Sequence, residues 1–451
     1  MAIRSRSPKP NEWAAKTNHT HIIQDDFVKN FLANCDLPPD STDSDAFSEI
    51  THTLNKEIQN PIKHLLVVDG GYTPVEVKKQ FPSSQIAFFQ FGAVLFQIKD
   101  LEELSEKPFI FPEDMNKLHN LQRFKLAVPI KNIKSKQQGS LKDSVRKVLY
   151  DFFMERRDGE SFMDTLKWLV FEEYNDKPLD EYILGSDPNG DGGKISLLRN
   201  TMKSDFTFDF SGGIVYLTDV FRLHEVVDED QGAGGILGYI TRLVEQLILV
   251  HFIKSIFQLQ PSLLNEFLFI ADGPLSFSGQ TANMHKPMRA LMNYLQSKRN
   301  LFLVGIEKSG AFVDHAQLIC LPNEDKTTLR KGQFILLSNE YIYKYIVPGD
   351  SKTMHYGSTS YYGGKVIYHS EDGQILVLTV PVPDKDVILS PKLHLYKNIN
   401  EIILNMQKLR CEMYDDAVIP VALANKLVSL ANHPSKVLLE KFAKAQMNIR
   451  N

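Results

Sequence analysis

Two apolar segments that each stop at an aspartate followed by glycine constrain this chain more than any other feature. Residues 67–71 read Val-Val-Asp-Gly-Gly, and residues 270–274 read Ile-Ala-Asp-Gly-Pro. Short apolar runs bounded by turn residues are typical of buried β-strands, so Asp69 and Asp272 are each predicted to follow a strand, in a turn. In open α/β folds such positions lie at the carboxyl edge of the sheet, where ligands bind.

If the two strands are neighbours, the carboxylates of Asp69 and Asp272 converge. Close carboxylates repel each other unless one is protonated or a cation lies between them. A hard divalent cation such as Mg²⁺ or Mn²⁺ accepts oxygen ligands of this kind. The alternative is that Asp-Gly only forms turns, since both residues favour turns for local reasons. The residues alone leave both interpretations open.

Glu245 is the candidate for a third carboxylate at such a metal site. It lies in an apolar helix predicted over residues 234–257, where charged residues are few. A carboxylate in these surroundings is unfavourable unless it is paired or binds a ligand. Arg242 stands three residues earlier on the same helix and could be that partner instead. Ligand and ion-pair partner are therefore both open roles for Glu245.

Strand-like and helix-like segments mix along the whole chain, which predicts an α/β fold with a mixed sheet. Residues 1–60 are polar and are predicted to form an N-terminal extension with some helix. Residues 61–451 are predicted to form the main domain. A helical and loop insertion is expected within it at about residues 140–232.

Whole-chain composition excludes several classes of protein. The chain has 451 residues, of which 43% are hydrophobic and 24% charged, as in globular proteins. Its three widely spaced cysteines indicate neither a disulfide framework nor a zinc cluster, and they fit a reducing compartment. The sequence shows no signal-peptide pattern, no run that favours a membrane span and no P-loop. We therefore expect a cytoplasmic protein without membrane contact, whose partner supplies any ATP chemistry.

The net charge of −4 argues mildly against a protein whose main partner is DNA, since such proteins are often basic. A local basic groove would still suffice, because phosphate binding depends on where the charges lie. Residues 131–147 and 285–299 are the two candidate segments, and Lys286 and Arg289 in the second are the candidate DNA contacts. Both segments are equally well explained as solvated faces.

These features, in their order and spacing, resemble the NurA nuclease family over roughly residues 62–445. The resemblance rests on Asp69 with its two glycines, on Glu245 in the helix before the second aspartate, and on three segments. These are residues 269–275 around Asp272, residues 305–308 with a Gly-x-x-Lys strand end, and the proline-to-helix segment 419–426. No single motif is highly specific.

The resemblance implies a ribonuclease-H-like mixed sheet flanked by helices, and a DNA nuclease that hydrolyses phosphodiester bonds at DNA ends with Mn²⁺ or Mg²⁺. Two cations would be held by Asp69, Glu245 and Asp272. Lys308 would meet a phosphate oxygen, with a surface lysine as its alternative. The resemblance also implies a homodimer working beside a HerA-like hexameric ATPase, in DNA repair or antiviral defence against phage.

One departure from the family pattern stands at Asn425, where the family often has histidine. Asparagine can coordinate or hydrogen-bond, but it cannot act as an acid or base at neutral pH. Asn425 is therefore one candidate for a fourth member of the site. Asp416, with Asp415 just upstream of the helix, is the other, and a solvated pair at the helix flank is its alternative. The departure also motivates a rival interpretation, a catalytically inactive NurA-like scaffold. A second rival, an actin-like or sugar-kinase-like phosphotransferase, follows from the Asp-Gly strand ends and predicts ATP binding by this chain alone.

Overall fold

The computed structural model describes residues 18–37, 39, 44–102, 121–157, 159–190, 192–320, 329–409, 418–430 and 433–447. The strands in these parts of the chain are β1 (Thr51–Thr53), β2 (His64–Lys78), β3 (Ser84–Gln97), β4 (Leu121–Lys131), β5 (Arg156–Arg157), β6 (Glu160–Ser161), β7 (Glu181–Leu184), β8 (Ile195–Leu198), β9 (Thr207–Phe210), β10 (Gly213–Tyr216), β11 (Phe267–Asp272), β12 (Phe302–Glu307), β13 (Gln333–Leu336), β14 (Gly363–His369) and β15 (Ile375–Pro381).

The α-helices in the same parts of the chain are α1 (Asn18–Gln24), α2 (Asp26–Ala33), α3 (Ser44–Ile50), α4 (Ile98–Glu102), α5 (Leu141–Met154), α6 (Phe162–Val170), α7 (Leu237–Leu259), α8 (His285–Lys298), α9 (Ala311–Cys320), α10 (Asn339–Tyr345), α11 (Ile399–Lys408), α12 (Ile419–Val428) and α13 (His433–Gln446). Short 3-10 turns fill several connections, and one of them, Gly234–Ile236, leads directly into α7.

The main sheet has nine strands in the described parts of the chain, and five of them define its class. Strands β4, β3 and β2 pair antiparallel, whereas β2, β11 and β12 pair parallel. The resulting order, β4-β3-β2-β11-β12, is the arrangement of ribonuclease-H-like sheets. Strands β15, β14, β13 and β1 extend the sheet beyond β12 by antiparallel pairing. The predicted mixed α/β class is therefore confirmed.

Helices cover both faces of this sheet. Helices α5 to α8 pack over β2, β3, β4, β11 and β12 on one face, and α11 and α12 cover the other. Helix α7 is the central helix of the first layer. The stretch Gly234–Leu259 is long and apolar enough to cross a membrane by composition alone, but 67% of its most apolar window is buried inside the protein. Such burial is what a core helix requires of its sequence.

The turn predicted at Asp69 is wrong, although its position at the sheet edge is right. Strand β2 runs unbroken from His64 to Lys78 because its antiparallel pairing with β3 continues past both glycines. The parallel pairing with β11 does end there, since Val68 and Ala271 form its last pair. Asp69 therefore lies at the carboxyl edge of the parallel strands while remaining inside a strand itself.

A buried ion pair holds the region between β4 and α7 together. Arg146 of α5 donates from Nε and Nη2 to the two carboxylate oxygens of Asp219, at 2.9 and 2.8 Å. The backbone N–H of Tyr216 donates to the same carboxylate at 2.8 Å. Both charged side chains are almost fully buried, at 5% and 3% exposure.

Candidate metal-binding active site

Asp69 and Asp272 occupy adjacent positions on neighbouring parallel strands. Each residue comes directly after the last paired position, Val68 of β2 opposite Ala271 of β11. Neighbouring strands lie about 4.8 Å apart, so the two aspartates start from backbones separated by one strand spacing. Asp69 is buried, at 5% exposure, and the Asp272 side chain is 22% exposed. The fold thus brings together the two aspartates that the sequence singled out.

Glu245 reaches the same edge from α7, where it is 7% exposed. Gly70 makes its approach possible. A Cβ atom at Gly70 would lie 2.5 Å from the ring of Phe91 and 3.0 Å from Oε1 of Glu245. Only glycine at position 70 leaves room for the side chains of both Phe91 and Glu245, which explains why a glycine follows Asp69.

Burial and the neighbouring charge of Asp272 together raise the pKa of Asp69 to about 7. Two contacts oppose this rise: the charge of Lys308, and the N–H of Gly70, which donates to Oδ1 of Asp69 at 2.8 Å. These contacts do not restore an ordinary pKa, so the ionised form of Asp69 lacks sufficient positive charge around it.

Burial also raises the pKa of Glu245 well above its usual range. Arg242 opposes this rise, whereas the charges of Asp69 and Asp272 add to it. The charges of the three carboxylates therefore act on one another at this edge of the sheet. A strongly perturbed pKa caused by burial together with like charge is the electrostatic pattern expected of a functional site.

Two cations from the chain itself partly neutralise this region. Lys308, just past β12, places its Nζ 2.8 Å from Oδ2 of Asp272. Arg242 donates from Nη1 to the backbone carbonyl of Asp272, and the same nitrogen lies 3.8 Å from Oε2 of Glu245. Gly273 adopts a φ of +93°, and a Cβ atom there would lie 3.1 Å from Arg242 Nη1. Glycine thus permits both the left-handed turn and the guanidinium packed against it.

Three carboxylates supply the oxygen donors that Mg²⁺ and Mn²⁺ prefer, so the donor chemistry fits a divalent cation. In the arrangement seen here, no three acidic, histidine or cysteine side chains among the described residues converge closely enough to hold an ion. In this arrangement Asp272 is paired with Lys308, and Arg242 lies beside Glu245. Cation binding would therefore require the carboxylate of Asp272 to exchange its contact with Lys308 for the ion.

The other residues predicted for the site have different outcomes. Asn425 lies on α12 and is exposed, and its backbone carbonyl accepts a hydrogen bond from Ser429. Asp416 lies outside the described residues. On α8, Lys286 is exposed, whereas Arg289 is half-buried and donates from Nη2 to the carbonyl of Tyr361. Their roles stay predictions.

A buried ion pair that sequence reasoning missed supports the end of β12. Lys365 of β14 donates from Nζ to Oε1 of Glu307 and is 2% exposed. Its ammonium lies 4.1 Å from the ring centre of Phe312 and 4.8 Å from that of Tyr361. Because Glu307 directly precedes Lys308, this pair fixes the strand end from which Lys308 reaches the site. A lysine within an apolar strand run was the available signal.

Comparison with known proteins gives a structural likeness but no sequence match. No family model matches the sequence, and no curated protein matches it. The chain aligns structurally with the NurA nuclease from Sulfolobus solfataricus over 96% of its own length and 95% of that chain. The TM-score is 0.33 and the sequence identity 10%. At these values the likeness adds nothing to the functional argument, which depends on the geometry of the site.

Proposed function

We propose that this protein is a divalent-metal-dependent nuclease that hydrolyses phosphodiester bonds in DNA. The observation that carries the proposal is the group of three carboxylates, Asp69, Glu245 and Asp272, at the carboxyl edge of a ribonuclease-H-like sheet. Burial and mutual repulsion raise the pKa of Asp69 to about 7. Such a group gains most from a cation that all three can share.

In this proposal Asp69, Glu245 and Asp272 hold Mn²⁺ or Mg²⁺. Bound cations would supply an activated water and neutralise charge on the leaving oxygen. Lys308, released from Asp272, is placed to contact a non-bridging phosphate oxygen. Arg242 keeps the backbone of Asp272 in place through its bond to the carbonyl oxygen, and the Glu307–Lys365 pair does the same for the strand end before Lys308.

The family resemblance extends the proposal to partners. The protein would act at DNA ends as a cytoplasmic homodimer beside a HerA-like hexameric ATPase, in DNA repair or phage defence. The chain has no P-loop of its own, so ATP-driven movement of DNA would come from that partner. A large stimulation of cleavage by the ATPase and ATP is expected, with co-elution of the two proteins in size-exclusion chromatography.

The test is cleavage of end-labelled linear DNA by the purified full chain, with Mn²⁺, with Mg²⁺ and with EDTA. Cleavage should need the cation and disappear in chelator. The matched variants are Asp69→Asn, which should be inactive, and Asp176→Asn, an equally conservative change at an exposed position. Undiminished cleavage in EDTA would contradict the metal mechanism. Complete inactivity, even with the ATPase present, would favour the scaffold alternative, which is motivated by Asn425 at the position where the family often has histidine.

A further inference from the structure

A row of basic side chains begins on the same face of the sheet as Asp69, two strands away. In the antiparallel pairing of β2, β3 and β4, Asp69 of β2 lies opposite Gly92 of β3, and Gly92 lies opposite Arg123 of β4. Residues directly opposite each other project to the same face of a sheet. Two strand spacings separate Arg123 from Asp69, a distance of about 10 Å between backbones.

The next row of paired residues on that face also ends at a basic residue of β4. Gly71 lies opposite Gln90, and Gln90 lies opposite Lys125. The side-chain amide of Gln90 donates to the carbonyl oxygen of Leu427 at 3.2 Å, which places the last turn of α12 beside this row. Lys426 is the preceding residue of that turn and is exposed. We call Arg123, Lys125 and Lys426 together the basic strip.

All three residues of the basic strip are exposed, and none forms an ion pair with any described residue. Their surroundings in sequence are also basic. Residues 121–142 contain six Lys or Arg and no acidic residue, in a chain whose net charge is −4. In the part of the chain that forms α12 and α13, Glu440 is acidic, and it is paired with Lys79 and Lys444. The charges of the basic strip are thus not neutralised by described neighbours.

The spacing of the strip suits an extended polyanion. Residues two apart on one face of a strand are separated by about 6.6 Å, so Arg123 and Lys125 present successive charges along a line. Unpaired Lys and Arg side chains supply most of the affinity of proteins for a nucleic-acid backbone. An acidic chain that binds DNA needs such a local concentration of charge.

We propose that the basic strip binds the phosphate backbone of a single DNA strand whose scissile phosphate lies at Asp69, Glu245 and Asp272. The inference rests on the proposed nuclease function and adds the path of the substrate. That path runs on the β3–β4 side of the site, whereas the sequence analysis placed the DNA contacts at Lys286 and Arg289.

The test measures binding separately from cleavage. The full chain is titrated against a fluorescein-labelled single-stranded oligonucleotide in EDTA, by anisotropy, over a range of KCl concentrations. The Arg123→Ala/Lys125→Ala variant should raise Kd roughly tenfold and lower the slope of log affinity against log salt by about 1.4, since each phosphate contact contributes about 0.7 on single strands. The matched control, Lys177→Ala/Lys194→Ala, removes two exposed charges from the insertion and should bind like wild type.

The outcomes separate the strip from the nuclease activity. If the wild type binds DNA through the strip but does not cleave it in Mn²⁺, the strip is a DNA-binding site and the proposed nuclease function is wrong. If the strip variant and the wild type have the same Kd and the same salt slope, the basic strip does not bind DNA, even if cleavage occurs. An acidic protein would then be the expected partner of the strip. Absence of DNA binding by the wild-type chain would overturn the proposal for the strip as well.

Discussion

Two regions of this protein bury charged side chains, and they do so in opposite ways. In the region between β4 and α7, Arg146 gives one donor to each carboxylate oxygen of Asp219, and both residues are nearly inaccessible. At the sheet edge, three carboxylates share a region with two cations: Lys308 lies 2.8 Å from Asp272, and Arg242 lies 3.8 Å from Glu245. Burial and like charge raise the pKa of Asp69 to about 7 there.

The difference separates structural from functional burial of charge. A carboxylate whose partner is supplied by the chain stabilises the fold, and removal of either partner leaves an uncompensated charge. Carboxylates that lack sufficient partners destabilise the fold, and they are retained where a ligand completes the site. The two regions should therefore respond oppositely to the same chemical change, aspartate to asparagine.

The largest effect is expected at the sheet edge. Asp69→Asn and Asp272→Asn each keep the shape of the side chain but remove the charge that holds a cation. Cleavage in Mn²⁺ should fall by about 10³-fold, on the order of losing a preorganised electrostatic group. Single-turnover rates measure this, and calorimetry should show that Asp69→Asn does not have a lower Tm in EDTA, because burial and repulsion disfavour the charge it removes. A cleavage rate near wild type would remove that residue from the site.

The next largest effect is a loss of stability in the insertion. Asp219→Asn breaks the buried pair with Arg146 and should lower the free energy of unfolding by about 3–5 kcal/mol. Cleavage per folded molecule should change little. Urea titration measures the loss, and Asp143→Asn is the matched control. Asp143 pairs with the same arginine at 3.3 Å but is 39% exposed, so about 0–1 kcal/mol is expected there. Equal losses in both variants would mean that burial does not decide the strength of the pair.

The smallest effect is a pH dependence of the metal-free protein. The pKa of Asp69 is about 7 in the folded state, against an ordinary value of 3.8. Between these values the folded state binds a proton that the unfolded state has released, so stability decreases as pH rises. The stabilisation is present below about pH 4 and lost above about pH 7.

In EDTA, the wild type should therefore lose several degrees more in Tm between pH 5 and pH 8 than Asp69→Asn does. The asparagine variant has no proton to release, so it serves as the reference for all other titrating groups. Parallel curves of Tm against pH for the two proteins would show that Asp69 has an ordinary pKa. The charge of Asp69 would then be no less well compensated than that of Asp219.

Local sequence pattern predicted the pieces of the site but not its electrostatics. Asp69, Asp272 and Glu245 were found because apolar runs around them predict buried elements. The sequence did not predict that β2 continues past Gly70, because this continuation depends on pairing with β3. Hydrophobic periodicity and turn-forming residues carry no information on which strands pair. The same limit explains the double role of Arg242. Its approach to Glu245 follows from helix spacing, whereas its bond to the carbonyl of Asp272 exists only in the fold.

The buried pairs lay beyond sequence reasoning for the same reason. Arg146 and Asp219 are 73 residues apart, and Glu307 and Lys365 are 58 apart. Each residue alone resembles an ordinary surface charge, since charged residues are mostly exposed. Their pairing appears only when the sheet and the insertion bring the elements together.

If Asp69, Glu245 and Asp272 together bind a divalent cation, crystals of the protein grown with Mn²⁺ will show it most directly, in an anomalous difference map. We expect a peak between these three side chains, coordinated by carboxylate oxygens, with Lys308 no longer bonded to Asp272. Crystals saturated with Mn²⁺ in which Lys308 still contacts Asp272, with no peak at this edge of the sheet, would contradict this expectation.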